Sequence, residues 1–243
     1  MKRHIPNFIT SLNVASGFFA IIAAMANELV LAAIFIIIAM FFDYIDGFVA
    51  RMLNAKSEVG KELDSLGDVI SFGVAPAIIL AKMLANINGI TSFDVLFISP
   101  WQKIIIVLFP VILAVFAALR LARFNVFHSQ STEFVGLPVP SVALYFIAFP
   151  LIWRYGTTDI LLSLLKQNWF YIANIIIFSW LMVSNLKMFS LKINPKEKSQ
   201  NYIFQLILLF FSLILLFSFA VEAIPMIIIF FILLSIIRQI FYS

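Results

Sequence analysis

Four aspartates lie inside or beside apolar segments that are long enough to cross a membrane: Asp43, Asp46, Asp64 and Asp68. On membrane-insertion scales a charged carboxylate at bilayer depth costs roughly 2.5–3.5 kcal/mol, so four together cost about 10 kcal/mol. That sum is comparable with the whole stability of an ordinary domain, roughly 5–15 kcal/mol. A divalent cation held by clustered oxygen atoms offsets such a charge. The four aspartates therefore predict a metal site within the membrane.

The spacing of these residues places them on two helix faces. With about 100° of rotation per residue, one face of the first helix collects five residues: Asp43, Asp46, Gly47, Ala50 and Arg51. One face of the next helix collects residues that recur every fourth position: Gly60, Asp64 and Asp68. Since a short loop joins the two helices, they should run antiparallel with these faces opposed. All four carboxylates then converge on a common space.

The residues around the aspartates suit a phosphate-bearing ligand, and each also has a simpler explanation. Asp43 lies about 14 Å inside the end of its helix, at a rise of about 1.5 Å per residue, which is the level of a phospholipid headgroup in one leaflet. Gly47 and Ala50 leave room for a bulky group near the backbone, or for close helix packing. Arg51 can bind phosphate oxygens, anchor the helix at the membrane surface or pair with an aspartate.

The composition identifies the protein class that must position these residues. Of the 243 residues 63% are hydrophobic and 12% are charged, which predicts an all-α integral membrane protein rather than a soluble domain. Apolar stretches of helix-spanning length occur eight times, near residues 7–26, 29–52, 64–86, 103–123, 138–153, 169–187, 203–221 and 225–241. The absence of cysteine from the sequence excludes disulfides and thiolate chemistry.

The basic residues predict the orientation of the chain. With eight spans, twelve of the 16 Lys and Arg residues fall on one side, and four fall on the other: Lys82, Lys103, Arg154 and Lys166. Cytoplasmic loops carry the excess of basic residues, so we expect both termini and the acidic site on the cytoplasmic side of the inner membrane. We attribute the basic residues to topology and interfacial anchoring, and not to nucleic-acid binding.

A break at Asn194-Pro195, followed by a charged run, divides the chain into two parts. The first, residues 1–190, contains six predicted helices and the acidic residues described above. The second, residues 191–243, contains a hairpin rich in Phe, Ile and Leu whose turn is marked by Glu222 and Pro225. We expect a catalytic body and a C-terminal hairpin that packs against lipid or forms an oligomer contact.

The run from Asp43 to Asp68 matches the pattern DGxxAR-x8-GxxxDxxxD with a preceding aspartate. It resembles the signature of the CDP-alcohol phosphatidyltransferase family. The resemblance implies two divalent cations, Mg²⁺ or Mn²⁺, among the four aspartates, with Asp68 also acting as general base. It implies a CDP-activated lipid substrate with CMP as leaving group, and a homodimer. It also implies that the CDP moiety faces the motif residues Gly47, Ala50, Arg51 and Gly60.

Other stretches resemble the membrane-bound phosphatidylserine synthase branch of that family, over about residues 5–150. They are residues 5–10, with Asn13 and Gly17, and residues 71–77, 118–125 and 134–140. Asn7 and Thr10, one turn apart, are candidates to bind the cytosine or ribose, although Asn7 also suits a helix cap. Pro76 predicts a bend in the third span beyond Asp68.

The branch implies CDP-diacylglycerol and L-serine as substrates. Arg120 and Arg123, three residues apart at the end of the fourth span, are suited to the serine carboxylate, and Asn125 can add a hydrogen bond. Charge topology or lipid-phosphate binding also explains the two arginines. The alternatives are the same chemistry with glycerol 3-phosphate, inositol phosphate or choline, and a divalent-cation transporter. A transporter predicts acidic residues over several spans, whereas here they concentrate on two.

Overall fold

The computed structural model describes residues 4–55, 57–90, 92–127, 134–189 and 199–242. Within these ranges the chain forms eleven α-helices: α1 (His4–Met25), α2 (Leu29–Met52), α3 (Glu58–Asp68), α4 (Ala75–Ile87), α5 (Trp101–Leu108), α6 (Val111–Phe127), α7 (Val139–Tyr155), α8 (Asp159–Leu164), α9 (Asn168–Val183), α10 (Ser199–Phe219) and α11 (Ala223–Tyr242). A π-helical segment, Val69–Val74, joins α3 to α4, and 3₁₀ turns cover Phe93–Ile98 and Ala220–Glu222. Two short strands, β1 (Phe134–Val135) and β2 (Lys187–Met188), pair antiparallel.

The predicted all-α membrane fold is confirmed. By length and composition five segments can cross a membrane: His4–Met25, Leu29–Met52, Glu58–Ile87, Trp101–Val126 and Tyr202–Phe241. The last of these covers most of α10 and of α11, which pack against each other as the expected hairpin. Helices α7 and α9 are also apolar but shorter, at 17 and 16 residues. Each of the eight predicted spans therefore corresponds to a helical segment, and the chain is a multi-pass membrane protein.

Helices α1 and α2 pack tightly because their facing residues are small. Ala20, Ala24, Ala32, Ala33 and Ala39 are fully buried in this region. Within a membrane, small side chains allow two helix backbones to approach and gain van der Waals contact. The intervening turn places Asn27 at φ 66°, a left-handed conformation that asparagine tolerates better than most residues. The packing of α1 against α2 positions the acidic residues of α2.

The third span changes its helical form directly after Asp68. Residues Val69–Val74 form a π-helix, and Pro76 follows in the first turn of α4. Proline has no N–H to donate, so a locally wider turn before it accommodates the missing bond. The π segment is held against α1, where the Ser71 hydroxyl donates to the Asn13 carbonyl oxygen at 3.0 Å. The structure has a π-helical segment directly before Pro76, within a continuous span, and the bend expected there stays a prediction.

Helix α7 lies at the centre of the bundle and carries an aromatic cluster. The rings of Tyr145 and Phe178 stack with their centroids 4.0 Å apart, joining α7 to α9. Phe146 and Phe149 contact the same cluster edge-on. The Tyr145 hydroxyl donates to Asn174 Oδ1 at 2.5 Å, so this buried polar group is satisfied.

The C-terminal hairpin is attached to the rest of the bundle at both ends. At its turn, Glu222 is 2% exposed and accepts hydrogen bonds from the N–H groups of Thr157 and Thr158, at 2.6 and 2.8 Å, and from the Thr158 hydroxyl. At the opposite end, α11 packs on β2. The predicted break at Asn194-Pro195 lies outside the described residues. The division into residues 1–190 and 191–243 stays a prediction.

Candidate active site

Three of the four predicted carboxylates meet in the space between α2 and α3. Asp43, Asp64 and Asp68 each contribute one carboxylate oxygen, and these three oxygens lie within 4.8 Å of one another. Asp43 comes from α2 and the other two from α3, while α1 packs against both helices and fixes their separation. The four-residue interval between Asp64 and Asp68 places both side chains on one face of α3, as the helical period requires.

Asp46 lies one turn further along α2 and is 5% exposed. Its carboxylate is outside the group of three oxygens but close enough to interact electrostatically with Asp64 and Asp68. The Thr10 hydroxyl lies beside it and also donates to the Pro6 carbonyl oxygen at 3.1 Å. Asp46 therefore extends the acidic group towards α1.

Three carboxylate oxygens of this group are available to a cation. Asp46 Oδ2, Asp64 Oδ1 and Asp68 Oδ1 are buried and have no hydrogen-bond partner within the part of the chain that the structure describes. A buried anionic oxygen without a partner is strongly unfavourable. Hard divalent cations such as Mg²⁺ and Mn²⁺ prefer carboxylate oxygen ligands, so this set of donors fits them.

A cavity of about 400 Å³ opens beside Asp46 and Asp64. That volume lies within the range of small-molecule sites, about 300–1,000 Å³. Its lining residues are Pro6, Asn7, Thr10, Asp46, Gly47, Ala50, Ala55, Ser57, Glu58, Gly60, Lys61 and Asp64. Among these are five of the six residues predicted to contact a CDP moiety. The sixth, Arg51, is outside the lining and is exposed near the end of α2.

The sequence at the start of α3 shapes one wall of this cavity. Ser57 caps the helix, its hydroxyl accepting a hydrogen bond from the Gly60 N–H at 3.0 Å. A Cβ atom at position 60 would lie 2.9 Å from Asn7 Oδ1 and 3.0 Å from Ser57 Oγ. Gly60 is therefore required for the side chains of α1 and of the cap to approach α3 this closely.

The three residues predicted for serine occupy different environments. Arg120 is 8% exposed and interacts electrostatically with Asp68, and its Nε has no hydrogen-bond partner among the described residues. Arg123 is exposed, and its Nη1 donates to the Val183 carbonyl oxygen at 3.4 Å. Asn125 Nδ2 donates to Ser65 Oγ at 2.9 Å. The structure thus brings Arg120 to the carboxylates and places Arg123 against the end of α9.

Several residues of the site had no predicted role, although Asn13 was among the residues of the family resemblance. Asn13 on α1 is fully buried, and its side-chain amide lies close enough to Asp68 to stabilise that carboxylate. Its interval of three from Thr10 was the available signal, since both lie on the buried face of α1. Ser57 and Lys61 also line the cavity. Their proximity to Gly60 in sequence was the signal for them.

A sequence profile of CDP-alcohol phosphatidyltransferases matches residues 3–180, which include every candidate site residue. The chain belongs to this family. A CDP-alcohol phosphatidyltransferase is an enzyme that transfers a substituted phosphate group, and its chemistry is generally metal-dependent, in keeping with the acidic cluster. The family match ends within α9, so the hairpin of α10 and α11 lies beyond it.

Three relatives within the family cover most of the chain's length between them. A Helicobacter pylori protein is 30% identical over 216 residues, which cover 86% of this chain and 80% of the relative. A Bacillus subtilis protein is 34% identical over 160 residues, 64% of this chain and 82% of the relative. Both are named CDP-diacylglycerol–serine O-phosphatidyltransferase. An archaetidylserine synthase from Methanothermobacter thermautotrophicus is 33% identical over 155 residues, 63% of this chain and 60% of the relative.

Proposed function

We propose that this CDP-alcohol phosphatidyltransferase transfers the phosphatidyl group of CDP-diacylglycerol to the hydroxyl of L-serine, giving phosphatidylserine and CMP. The observation that carries the proposal is the meeting of Asp43, Asp64 and Asp68 within 4.8 Å. A cavity lined by Gly47, Ala50 and Gly60 of the same signature adjoins them. The names of the three relatives support serine as the acceptor.

The acidic group would hold two divalent cations, Mg²⁺ or Mn²⁺. Asp43, Asp46, Asp64 and Asp68 supply the oxygen ligands, and the number of ions follows from the family resemblance. When bound, such ions neutralise a pyrophosphate and hold it in line for displacement. The unpartnered carboxylate oxygens support this assignment, because they need a cation to be stable when buried.

The CDP moiety would occupy the 400 Å³ cavity. Asn7 and Thr10 present hydrogen-bonding groups from α1 to the cytosine or ribose, while Gly47 and Ala50 leave space along α2. Arg51 lies one residue beyond Ala50 and its long side chain can reach back to phosphate oxygens. Lys61, which lines the cavity, is a second cation that can reach those oxygens. The lipid chains of the substrate would stay in the bilayer beside the bundle.

Asp68 would act as the general base of the transfer. It accepts the proton of the serine hydroxyl, whose oxygen forms a bond to the phosphorus that carries diacylglycerol. The bond from that phosphorus to the CMP oxygen breaks, and CMP leaves with the electron pair. Asp68 is outside the lining of the nucleotide cavity, so the acceptor can approach from the other side of the acidic group.

Arg120 would bind the carboxylate of serine. It is a buried cation within electrostatic range of Asp68, and a guanidinium can make paired hydrogen bonds to a carboxylate. This position would bring the serine hydroxyl towards the base. Arg123 and Asn125 stay predictions as further serine contacts, since one bonds to the Val183 carbonyl and the other to Ser65.

We place both termini in the cytoplasm and the site at the cytoplasmic leaflet of the inner membrane. The excess of basic residues on that side, twelve of 16, supports the orientation. A site at this depth would serve both substrates, because the lipid stays in the bilayer and serine arrives from water. We also propose a homodimer, on the family resemblance.

An acceptor assay tests the proposal. Purified protein receives CDP-diacylglycerol, Mn²⁺ and one radiolabelled alcohol: serine, glycerol 3-phosphate, inositol phosphate or choline. We expect lipid-soluble label from serine, with CMP released in equal amount, and loss of both on chelation of the metal. Asp43→Asn/Asp64→Asn protein is the inactive control. Label from another alcohol and none from serine would exclude serine as the acceptor, and no CMP with any alcohol would exclude the reaction.

A further inference from the structure

A second cavity of about 510 Å³ lies between the end of α9 and the end of α11. Its lining residues are Trp180, Val183, Ser184, Asn185, Leu186 and Gln239. The lining shares no residue with the nucleotide cavity, and the proposed reaction uses none of these side chains. The cavity also spans the junction between the catalytic helices and the C-terminal hairpin.

Three basic residues are next to the lining residues of this cavity in the chain or bonded to them: Arg123, Lys187 and Arg238. Arg123 donates to the carbonyl oxygen of the lining residue Val183 at 3.4 Å. Lys187 follows the lining segment, and its backbone N–H donates to Gln239 Oε1 at 3.4 Å. Arg238 precedes Gln239 on α11. Helices α6, α9 and α11 and strand β2, which carry these residues, contain no aspartate or glutamate.

The cavity also lies where the chain passes from apolar to polar. Trp180 is 60% exposed and sits within an apolar helix, as tryptophans do near membrane–water boundaries. One turn later the chain leaves the helix and exposes Asn185 and Lys187. A ligand bound here would meet a polar, positively charged end and an apolar helical wall. That combination matches an amphiphile with a negative headgroup.

We propose that this second cavity binds the phosphate-bearing headgroup of an anionic phospholipid. The phosphate lies near Lys187 and Arg238, the side chains of Asn185 and Gln239 offer hydrogen-bond donors, and the acyl chains run along α9 and α11. A lipid with a net negative charge is favoured over a zwitterionic one, because basic side chains at the surface attract anionic lipids selectively. The bound lipid would join the hairpin to the catalytic helices.

Quenching of Trp180 fluorescence by brominated lipid tests this proposal directly. Trp101, Trp153 and Trp169 are replaced by phenylalanine in the full chain, which leaves Trp180 as the reporter. The protein is placed in phosphatidylcholine vesicles that contain a minor fraction of phosphatidylglycerol. Bromine is carried either by the phosphatidylglycerol or by an equal amount of the phosphatidylcholine. We expect roughly twofold stronger quenching by the brominated anionic lipid, since its concentration at the cavity is raised.

Two variants show whether the charges beside the cavity cause the difference. Lys187→Gln/Arg238→Gln should lower the quenching by anionic lipid to the phosphatidylcholine level. The matched control, Arg154→Gln/Lys166→Gln, removes two exposed cations from the other end of the bundle and should leave it unchanged. In the protein that retains Lys187 and Arg238, added salt should also weaken the excess quenching by anionic lipid, because salt screens charges at the surface.

Three results would overturn the proposal: equal quenching by the two lipids, excess quenching that salt does not weaken, or excess quenching that the double variant retains. Relief of the excess quenching by millimolar inorganic phosphate would also overturn the proposal, because the cavity would then prefer a free phosphate to the lipid headgroup. None of these measurements depends on catalysis, so they test the lipid site independently of the transferase reaction.

Discussion

Gly17 is the position where the fold beside the acidic group is most sensitive to one added methyl group. A Cβ atom there would lie 2.3 Å from Ser71 Oγ and 2.8 Å from Ser71 Cα, whereas ordinary van der Waals separations are 3.4–4 Å. Ser71 is fully buried, and its hydroxyl is bonded to the Asn13 carbonyl oxygen at 3.0 Å. Because one of the close atoms belongs to the backbone, a side-chain rotation cannot relieve the overlap. Gly17→Ala must push α1 away from the π segment.

Overpacking of this kind costs roughly 1–3 kcal/mol. The overlap with a backbone atom places Gly17→Ala in the upper part of that range. Alanine also favours a helix over glycine by about 1 kcal/mol, so the expected net loss of stability is about 1–2 kcal/mol. The shift of α1 also moves Thr10 and Asn13 relative to Asp46 and Asp68. Since a misplacement of about 1 Å can lower a rate 100-fold, we expect a loss of CMP release of that order.

Reversible SDS titration in mixed micelles measures the free energy of unfolding, and CMP release measures the rate. Gly47→Ala is the matched control, because a Cβ there meets nothing within 4 Å and the gain in helix propensity is the same. That variant should lose no stability and can gain up to about 1 kcal/mol, while its methyl group narrows the nucleotide cavity. Adding Ser71→Gly to Gly17→Ala removes the overlap with the hydroxyl but leaves the overlap with the backbone of residue 71, so it should restore stability in part. If Gly17→Ala had the same free energy of unfolding and the same rate of CMP release as the wild type, the reasoning would be refuted.

Three further predictions concern the base, its neighbour and the hairpin. Asp68→Asn should abolish turnover while the protein still binds CDP-diacylglycerol, as measured by CMP release and by equilibrium binding of the labelled lipid. Asn13→Leu should lower the rate of CMP release by roughly 10–100-fold, as loss of a residue that orients a metal ligand does, without lowering stability in SDS titration. Glu222→Ala should lower stability by roughly 1–3 kcal/mol, because it removes the charged acceptor of the hydrogen bonds from the N–H groups of Thr157 and Thr158.

Each of these predictions has a distinguishing control. Unchanged CMP release from Asp68→Asn would refute its role as base. Asn13→Leu protein that is both inactive and unstable would show a role in packing rather than orientation. For Glu222, hydrogen exchange at Thr157 and Thr158 should accelerate in the alanine variant and less so in Glu222→Gln, which retains an acceptor oxygen. Unaltered exchange would contradict the account of the hairpin attachment.

The spans could be predicted from the sequence because a membrane imposes a minimum length on every apolar helix. All eight agree with the structure to within a few residues at most of their ends, and α2 agrees at both. The length of an apolar segment could not predict the π-helical segment after Asp68. Pro76 predicted a bend and not a wider helical turn, and the wider turn also depends on the close packing of Ser71 against α1, which is a tertiary interaction.

The acidic group could be predicted because its residues repeat on single helix faces. Asp43, Asp64 and Asp68 meet as the helical period requires. Arg120 and Arg123 show the limit of the same argument. They are separated by about 60° around the helix, which is enough to bury one guanidinium and expose the other when α6 lies at the edge of a packed region. Which side is buried depends on α9, whose position the local sequence does not specify.

Glu222 shows the same limit in the hairpin. The sequence marked it as a turn residue, and the structure places it in the 3₁₀ turn between α10 and α11. Its partners, Thr157 and Thr158, lie more than 60 residues earlier in the chain. No periodicity connects such distant positions. From the sequence, Glu222 could therefore be predicted only as a polar residue of a turn, and not as the residue that attaches the hairpin to the other helices.

Mn²⁺ binding, measured by electron paramagnetic resonance, tests the central claim that aspartates of α2 and α3 form one metal site. The free Mn²⁺ signal is followed as the ion is added to purified full-length protein, with the wild type compared with Asp43→Asn/Asp64→Asn. We predict that the wild type removes about two ions per chain from solution and that the double variant binds them at least tenfold more weakly. Equal binding by the two proteins, or no binding by the wild type at millimolar Mn²⁺, would contradict the account.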